Sequence, residues 1–256
     1  FITLDKFLYY IRYMKITYSA KLLEFFKIAN SPLGLSIILP PPSVLDDFKT
    51  KPVPDQFAKY ELTSSFAQNS WDFISTLMII IIIAFITNFT LHFINGKRFP
   101  TLKRIFILVY KICRGNLLLL VICGNYDEIT LSSTLFIENL KPTHITEFID
   151  LALCAFFISL GLFVLYKCVA LVIQYQKLKS RIGVEGSDEG NGLAKFIKKN
   201  DLYYALFKGY KDTSFKTQAF MFFFVVRAII YNLVVILVDD YPIVQSFIIV
   251  SLSLIM

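Results

Sequence analysis

Apolar residues fall in a few long uninterrupted runs, separated by short connections that hold most of the charge. The clearest run is Trp71 to Ile94, whose centre from Met78 to Phe85 contains no polar side chain. A second lies between Ile105 and Leu140, with limits that the pattern leaves open. A third extends from about Phe148 to Ile173 and a fourth from about Ala219 to Val238. A fifth begins at Tyr241 and continues to the last residue. Runs of roughly 20 apolar residues have the length at which an α-helix crosses a bilayer. The alternating ten-residue blocks of an outer-membrane barrel are not seen. The pattern predicts an all-α membrane protein with about five transmembrane helices plus interfacial amphipathic helices.

Composition supports this reading. Hydrophobic residues make up 56% of 256, aromatic residues 16%, and mean hydropathy is +0.62. A water-soluble domain of this length has too little interior for so much apolar side chain. The lipid bilayer is therefore the first expected partner. The net charge of +7 raises the question of nucleic acid, but the basic residues cluster beside apolar runs and no recognition motif is present, so nucleic acid is not an expected partner. Cys113, Cys123, Cys154 and Cys168 all lie within apolar stretches without C-x-x-C spacing, which reads as small buried hydrophobes rather than a metal site. The chain opens on Phe1 and ends inside an apolar run, the pattern of the middle of a longer protein with an ectodomain expected before residue 1. Other membrane subunits, or the remainder of the same chain, are the further expected partners.

The connections give an orientation. After the first run come Lys97, Arg98, Lys103 and Arg104 with no acid among them. Between the second and third runs stand Glu138, Glu147 and Asp150 against Lys141 alone. The long connection after the third run is rich in lysine, and the last one is Asp239-Asp240. Basic and acidic connections alternate, so the positive-inside rule puts the two basic ones in the cytosol.

The organisation expected from this runs as follows. Residues 1–38 hold apolar residues broken by Lys6, Arg12, Lys15, Lys21 and Lys27, too charged for a free-standing span, and read as interfacial or re-entrant helices. Residues 39–70 form an outer connection whose prolines favour extended chain. Residues 71–173 carry the first three spans, and 217–256 the last two, truncated. In the cytosolic loop 174–216, Leu193, Phe196, Ile197, Tyr203, Leu206, Phe207 and Tyr210 recur at helical spacing among lysines. They predict an amphipathic helix on the inner leaflet or a binding face for a partner.

No catalytic constellation is present, neither H-E-x-x-H nor G-x-S-x-G nor a phosphate-cradling glycine loop, so an enzyme is not expected. No cofactor is implied. His92 and His144 fall in connections on opposite sides, which separates them as metal ligands. The informative residues are charges and amides within or beside the spans. Asp127 and Glu128 either interrupt a span from Leu117 to Ile137 or mark the outer end of one that starts near Ile105. Arg227 and Asn232 lie inside the fourth run. An ionised group at the centre of a spanning helix costs about 2.5–3.5 kcal/mol on insertion scales, and so normally faces protein or water. Glu128 is the first expected partner of Arg227. Lys111 and Arg114 precede the second run, whose limits are open. With Lys97, Arg98, Lys103 and Arg104 they read as an interfacial basic group whose long side chains reach the headgroups.

Several stretches are familiar. Leu4-Asp5-Lys6-Phe7-Leu8-Tyr9-Tyr10-Ile11-Arg12-Tyr13-Met14 is followed by Leu22-Leu23-Glu24-Phe25-Phe26. Asn125-Tyr126-Asp127-Glu128-Ile129-Thr130-Leu131-Ser132, the stretch from Tyr203 to Gly209, Phe224-Val225-Val226-Arg227 and Asp240-Tyr241-Pro242-Ile243-Val244-Gln245 complete the set. Together these resemble the C-terminal membrane region of the TRP-like polytopic membrane proteins of ciliates, distant relatives at fold level of the fungal flavin-carrier and TRP-like group. The resemblance implies a membrane channel or transporter-type protein of the plasma or cell-surface membrane, following a cysteine-rich ectodomain. Two positions depart from the pattern: only Arg227 stands where the family commonly has two adjacent basic residues, and Gly124 stands where it commonly has an acid. Two other functions suit the same composition, a non-conducting membrane anchor and a hydrophobic subunit of a larger assembly such as an organellar energy-transducing complex.

Overall fold

The computed structural model describes residues 10–15, 18–19, 21–22, 40–43, 45, 51–94, 99–140, 144–185, 190–208 and 213–255. Every regular element among them is helical, as the hydrophobic pattern requires. Two short helices, α1 (Asp55–Ala58) and α2 (Phe66–Asn69), precede the first long one, α3 (Trp71–Phe93). Two of its three threonines turn their hydroxyls back onto the helix: Thr87 and Thr90 donate to the carbonyls of Ile83 and Ile86, at 2.6 and 2.7 Å.

The second run is now delimited. Pro100 starts α4, where a missing N–H costs nothing, and the helix continues to Gly124 through a π-helical stretch at Ile112–Leu117. A break at Asn125 separates it from α5 (Tyr126–Glu138). The apolar stretch from Leu117 to Ile137 is thus two helices, and Asp127 and Glu128 sit in the first turn of the second, where the helix dipole favours acids. Helix α6 runs from Ile145 to Glu185 without interruption. It outlasts the apolar run because no breaker occurs between Ile173 and Gly183, so good helix formers carry it on. The remaining elements are α7 (Gly190–Lys199), a 3₁₀ turn at Asp201–Tyr203, α8 (Tyr204–Phe207), α9 (Phe215–Gln218), α10 (Phe220–Leu237) and α11 (Pro242–Ile255).

Among the described residues four helices are long and apolar enough to cross a membrane: α3, α4, α6 over Ile145–Ser180, and α10; the apolar stretch Pro242–Leu252 of α11 is shorter. The chain is an all-α polytopic membrane protein. Its residues form two compact units. The first comprises Phe1–Ser75, Asn125–Leu160 and Val225–Met256, the second Thr76–Gly124 and Gly161–Phe224. Their charges differ sharply. The first unit holds ten basic and fourteen acidic residues, the second sixteen basic and five acidic. The basic and acidic connections of the sequence are therefore sorted between units, each unit collecting one kind.

In the first unit, Tyr10, Tyr13 and Met14 are buried with Phe57 against Leu131 and Leu135 of α5, Tyr231, Val235 and Ile236 of α10, and Ile249 of α11. Tyr10 and residues 12–14 of the N-terminal segment are therefore core, while Lys15, Ser19, Lys21 and Leu22 are exposed. The proline-containing connection is tied down by polar contacts. Lys51 donates from Nζ to the Asn139 carbonyl at 2.9 Å and lies 3.7 Å from the Glu147 carboxylate. Gln56 reaches Asp239 at 3.3 Å. Asp150, 3% exposed, accepts from the backbone N–H groups of Phe66 at 3.1 Å and Ala67 at 2.8 Å, and so caps α2.

In the second unit, Leu171, Val172 and Tyr175 of α6 pack with Phe207 and Ala219, flanked by Leu193, Phe196 and Ile197 of α7. The apolar stripe of the basic loop thus rests on protein of its own unit. The stripe is also not one helix, because the chain turns at Asn200 before α8.

Candidate functional site

Of the polar residues singled out in the sequence, Asp127, Arg227 and Asn232 come together in the first unit. Asn232 of α10 is fully buried. Its Nδ2 donates to the Asp127 backbone carbonyl at 2.7 Å and to the Thr130 hydroxyl oxygen. Thr130 in turn donates to the carbonyl of Tyr126 at 2.8 Å, with the Asp127 carbonyl 3.0 Å away. These acceptors fix which end of the amide faces α5. They leave Asn232 Oδ1 buried with no hydrogen-bond partner.

Asp127 is 4% exposed, whereas Glu128 beside it is half-buried. Arg227 lies one turn before Tyr231 on α10, its guanidinium carbon 5.9 Å from that ring's centroid. Tyr231 packs edge-on against Tyr10, with centroids 4.8 Å apart. Tyr10 completes the group. Burial pushes its phenol well above the usual range, the Asp127 charge adds to this, and the Arg227 charge opposes it. The buried Asp127, Asn232, Tyr10 and Tyr231 and the half-buried Arg227 therefore share one region of α5, α10 and the N-terminal segment. Arg227 and Glu128 are both in this unit, on α10 and α5.

A second buried amide, Gln245 of α11, donates from Nε2 to the Val235 carbonyl of α10 at 2.8 Å. Its Oε1 too is buried without a hydrogen-bond partner. Arg12 is the charge that sequence reasoning missed. It is 4% exposed, with its guanidinium carbon 4.4 Å from the Tyr13 ring centroid and 5.5 Å from that of Tyr60. Burial raises the Tyr60 phenol above its usual range, and the Arg12 charge pulls it back. The signal for this was the tyrosines around Arg12, which offer π-faces to a guanidinium.

The basic residues take a different place. Lys103, Arg104, Lys111 and Arg114 all lie on α4; Lys103 is half-buried and the other three are exposed. Lys97 and Arg98 fall outside the described residues. Lys111 and Arg114 belong to the same continuous helix as Lys103 and Arg104, instead of standing before it. Among the described residues no group of three or more His, Cys, Asp or Glu side chains is placed to hold a metal ion.

The second unit contains a further polar arrangement without forewarning in the sequence. The short α8 carries the fully buried Leu206 and Phe207, and its backbone is satisfied by side chains. Asn116 accepts from the Ala205 N–H at 2.9 Å, Cys168 donates its thiol to the Leu206 carbonyl at 3.5 Å, and Gln218 donates to the Phe207 carbonyl at 2.7 Å. Gln176 donates to Gln218 at 2.6 Å. Gly115, in the π-helical stretch, lets Leu202 approach so closely that a Cβ would stand 2.5 Å from its carbonyl oxygen.

No protein-family model, curated protein or solved structure matches the chain.

Proposed function

We propose that the chain is the membrane domain of a TRP-like channel or transporter-type surface protein, as the resemblance to the ciliate proteins implies. The observation that carries this reading is the buried polar group around Asn232, in which an apolar helix brings an amide and Arg227 to the Tyr10, Asp127 and Tyr231 region. Ionisable groups within membrane helices are costly and characteristically mark pathways for ions or protons. On this reading Arg227 and Glu128 stand in the polar interior, with Asp127 beside them. The basic connections face the cytosol, and the membrane is the plasma or cell-surface membrane. The lipid bilayer and other membrane subunits are the partners.

A second reading has its own support. Asn232 and Gln245 each hydrogen-bond from one helix to backbone carbonyls of another, which is how amides join membrane helices. A non-conducting anchor, or a structural subunit of a larger assembly, needs no more than that. Reconstitution separates the two. Purified protein in cation-loaded vesicles is expected to carry flux above that of empty vesicles, and Arg227→Gln to reduce it severalfold while the protein still elutes as one species. Flux equal to that of empty vesicles would favour the anchor.

A further inference from the structure

Helix α7 has two unlike faces. At about 100° per residue, Leu193, Phe196 and Ile197 form one stripe, and Lys195, Lys198 and Lys199 fall within an arc of about 100° opposite it. The apolar stripe packs on Leu171, Val172 and Tyr175 of α6 and on Phe207. The Phe196 ring centroid lies 6.3 Å from that of Tyr175 and 5.7 Å from that of Phe207. The three lysines are exposed. Asp201 is the one acid between Gly190 and Lys208, and among the described residues none of the three lysines is within ion-pair distance of an acid. Lys195 stands three and four residues before Lys198 and Lys199, so these like charges are neighbours on the helix surface and weaken it unless an anion lies among them.

Two spanning helices fix the level at which α7 meets the bilayer. Helix α10 has 18 residues and is about 27 Å long, against a hydrocarbon core of about 30 Å. A crossing α10 therefore has Phe220, its first residue, at one face of the core. Ala219, directly before it, is fully buried in the cluster that α7 flanks. In α6 the same cluster falls at residues 171–175, where the apolar run ends at Ile173 and Gln174, Gln176 and Lys177 follow. Both helices thus put α7 at the core boundary. Tyr204 of α8, exposed with its ring centroid 6.2 Å from that of Phe207, is the residue type that settles at this level. Since α7 lies on the flank of α6, its far side looks along the membrane plane. Its neighbours there are headgroups.

We propose that the face of α7 formed by Lys195, Lys198 and Lys199 binds the phosphates of anionic phospholipid headgroups in the leaflet it borders. The proposal rests on the membrane fold, and neither on conduction nor on which side faces the cytosol. Depth identifies the occupant, and the flexible lysine stems let each ammonium reach a phosphate. Charge sets the preference, because ammonium groups without acid partners favour anionic over zwitterionic lipid.

The test uses the full chain in bilayer discs of phosphatidylcholine and phosphatidylserine at four to one. Lys198→Cys is labelled with a maleimide fluorophore, the four native cysteines being buried. A nitroxide on the lipid headgroup is expected to quench it severalfold more than a nitroxide at the end of the acyl chain. Quenching by aqueous iodide alone would show a solvated face and overturn the proposal. Separately, the protein is extracted in neutral detergent, and the lipids it retains are counted by mass spectrometry. Wild type is expected to be enriched in phosphatidylserine, and the enrichment to fall about fivefold for each of Lys198→Gln and Lys199→Gln. Lys21→Gln with Lys59→Gln, which removes twice the charge from exposed positions of the other unit, is expected to leave it unchanged. Equal retention of both lipids by wild type overturns the proposal, and this measurement needs no variant to fold. So does an equal loss in the control variant, which would make the attraction one of net charge alone. Release of the protein from membranes by alkaline carbonate without detergent would refute the membrane fold and the proposal with it, a distinguishable outcome.

Discussion

The side-chain amide of Asn232 donates a 2.7 Å hydrogen bond to the backbone carbonyl of Asp127, which joins the middle of α10 to the first turn of α5. The bond reaches a main-chain acceptor, so it does not depend on the charge state of the Asp127 carboxylate. An acid found in a polar group is thus partly a structural acceptor through its backbone.

Asn232→Leu should therefore be mild. The Asp127 carbonyl keeps its place in the helical ladder, Thr130 still donates to the Tyr126 carbonyl, and an unpartnered buried oxygen disappears. Hydrogen bonds of this kind between membrane helices average about 0.6 kcal/mol and reach about 1.7. Unfolding in detergent is expected to show a loss in that range. A double-mutant cycle with Thr130→Val should return a coupling of the same order, and a loss above about 3 kcal/mol would mean that Asn232 supports more than this bond.

Gly115→Ala pits two effects against each other. Alanine favours the helix by about 1 kcal/mol, but its Cβ would sit 2.5 Å from the Leu202 carbonyl oxygen and from Leu202 Cδ1. The oxygen belongs to the backbone and cannot swing aside, so overpacking of about 1–3 kcal/mol is expected to win. Displacement of the turn should expose Cys168, whose thiol donates to Leu206. With the other three cysteines replaced by serine, maleimide should label Cys168 faster in the variant; an unchanged rate would show that the turn accommodates the methyl group.

Gln218 satisfies the Phe207 carbonyl and accepts from Gln176. Gln218→Leu leaves a buried carbonyl and a half-buried amide short of a partner, at a cost of about 1–3 kcal/mol. Gln218→Glu keeps an acceptor for Gln176 but offers no donor to Phe207. Thermal unfolding should rank wild type above both variants, and equal stability of all three would remove the cap from the account of α8.

Asp150→Ala removes the carboxylate that accepts from Phe66 and Ala67. Charge-assisted caps of this kind contribute about 1.5–3 kcal/mol. Limited proteolysis between residues 51 and 70 should accelerate in the alanine variant and be partly restored in Asp150→Asn, which retains one acceptor. Cleavage at the wild-type rate in both would show that the connection is held by Lys51 and Gln56 instead.

The sequence by itself determined the class of the protein. Lipid exposure demands continuous apolar helices, and the runs at Trp71, Phe148 and Ala219 state this locally, each starting within a few residues of the observed start of α3, α6 and α10. The alternation of basic and acidic connections was equally legible, since each connection carries its own charges. What needed the tertiary structure was the fate of residues whose partners are remote in the chain. The run from Ile105 to Leu140 reads as one ambiguous stretch; where it breaks depends on Asn125 and on how Asp127 and Thr130 meet Asn232, more than 100 residues away. Lys111 and Arg114 could be recognised as basic, but only a continuous α4 aligns them with Lys103 and Arg104. Arg12 looked like a charge that would hold its segment at the surface, until Tyr13 and Tyr60 enclosed it. Leu206 and Phe207 fitted an amphipathic helix by spacing, yet the turn at Asn200 and the side chains of Asn116, Cys168 and Gln218 bury them in a short α8. Periodicity records the solvent a helix meets on each side; it does not record which distant donor satisfies a buried carbonyl, and that choice belongs to the packing.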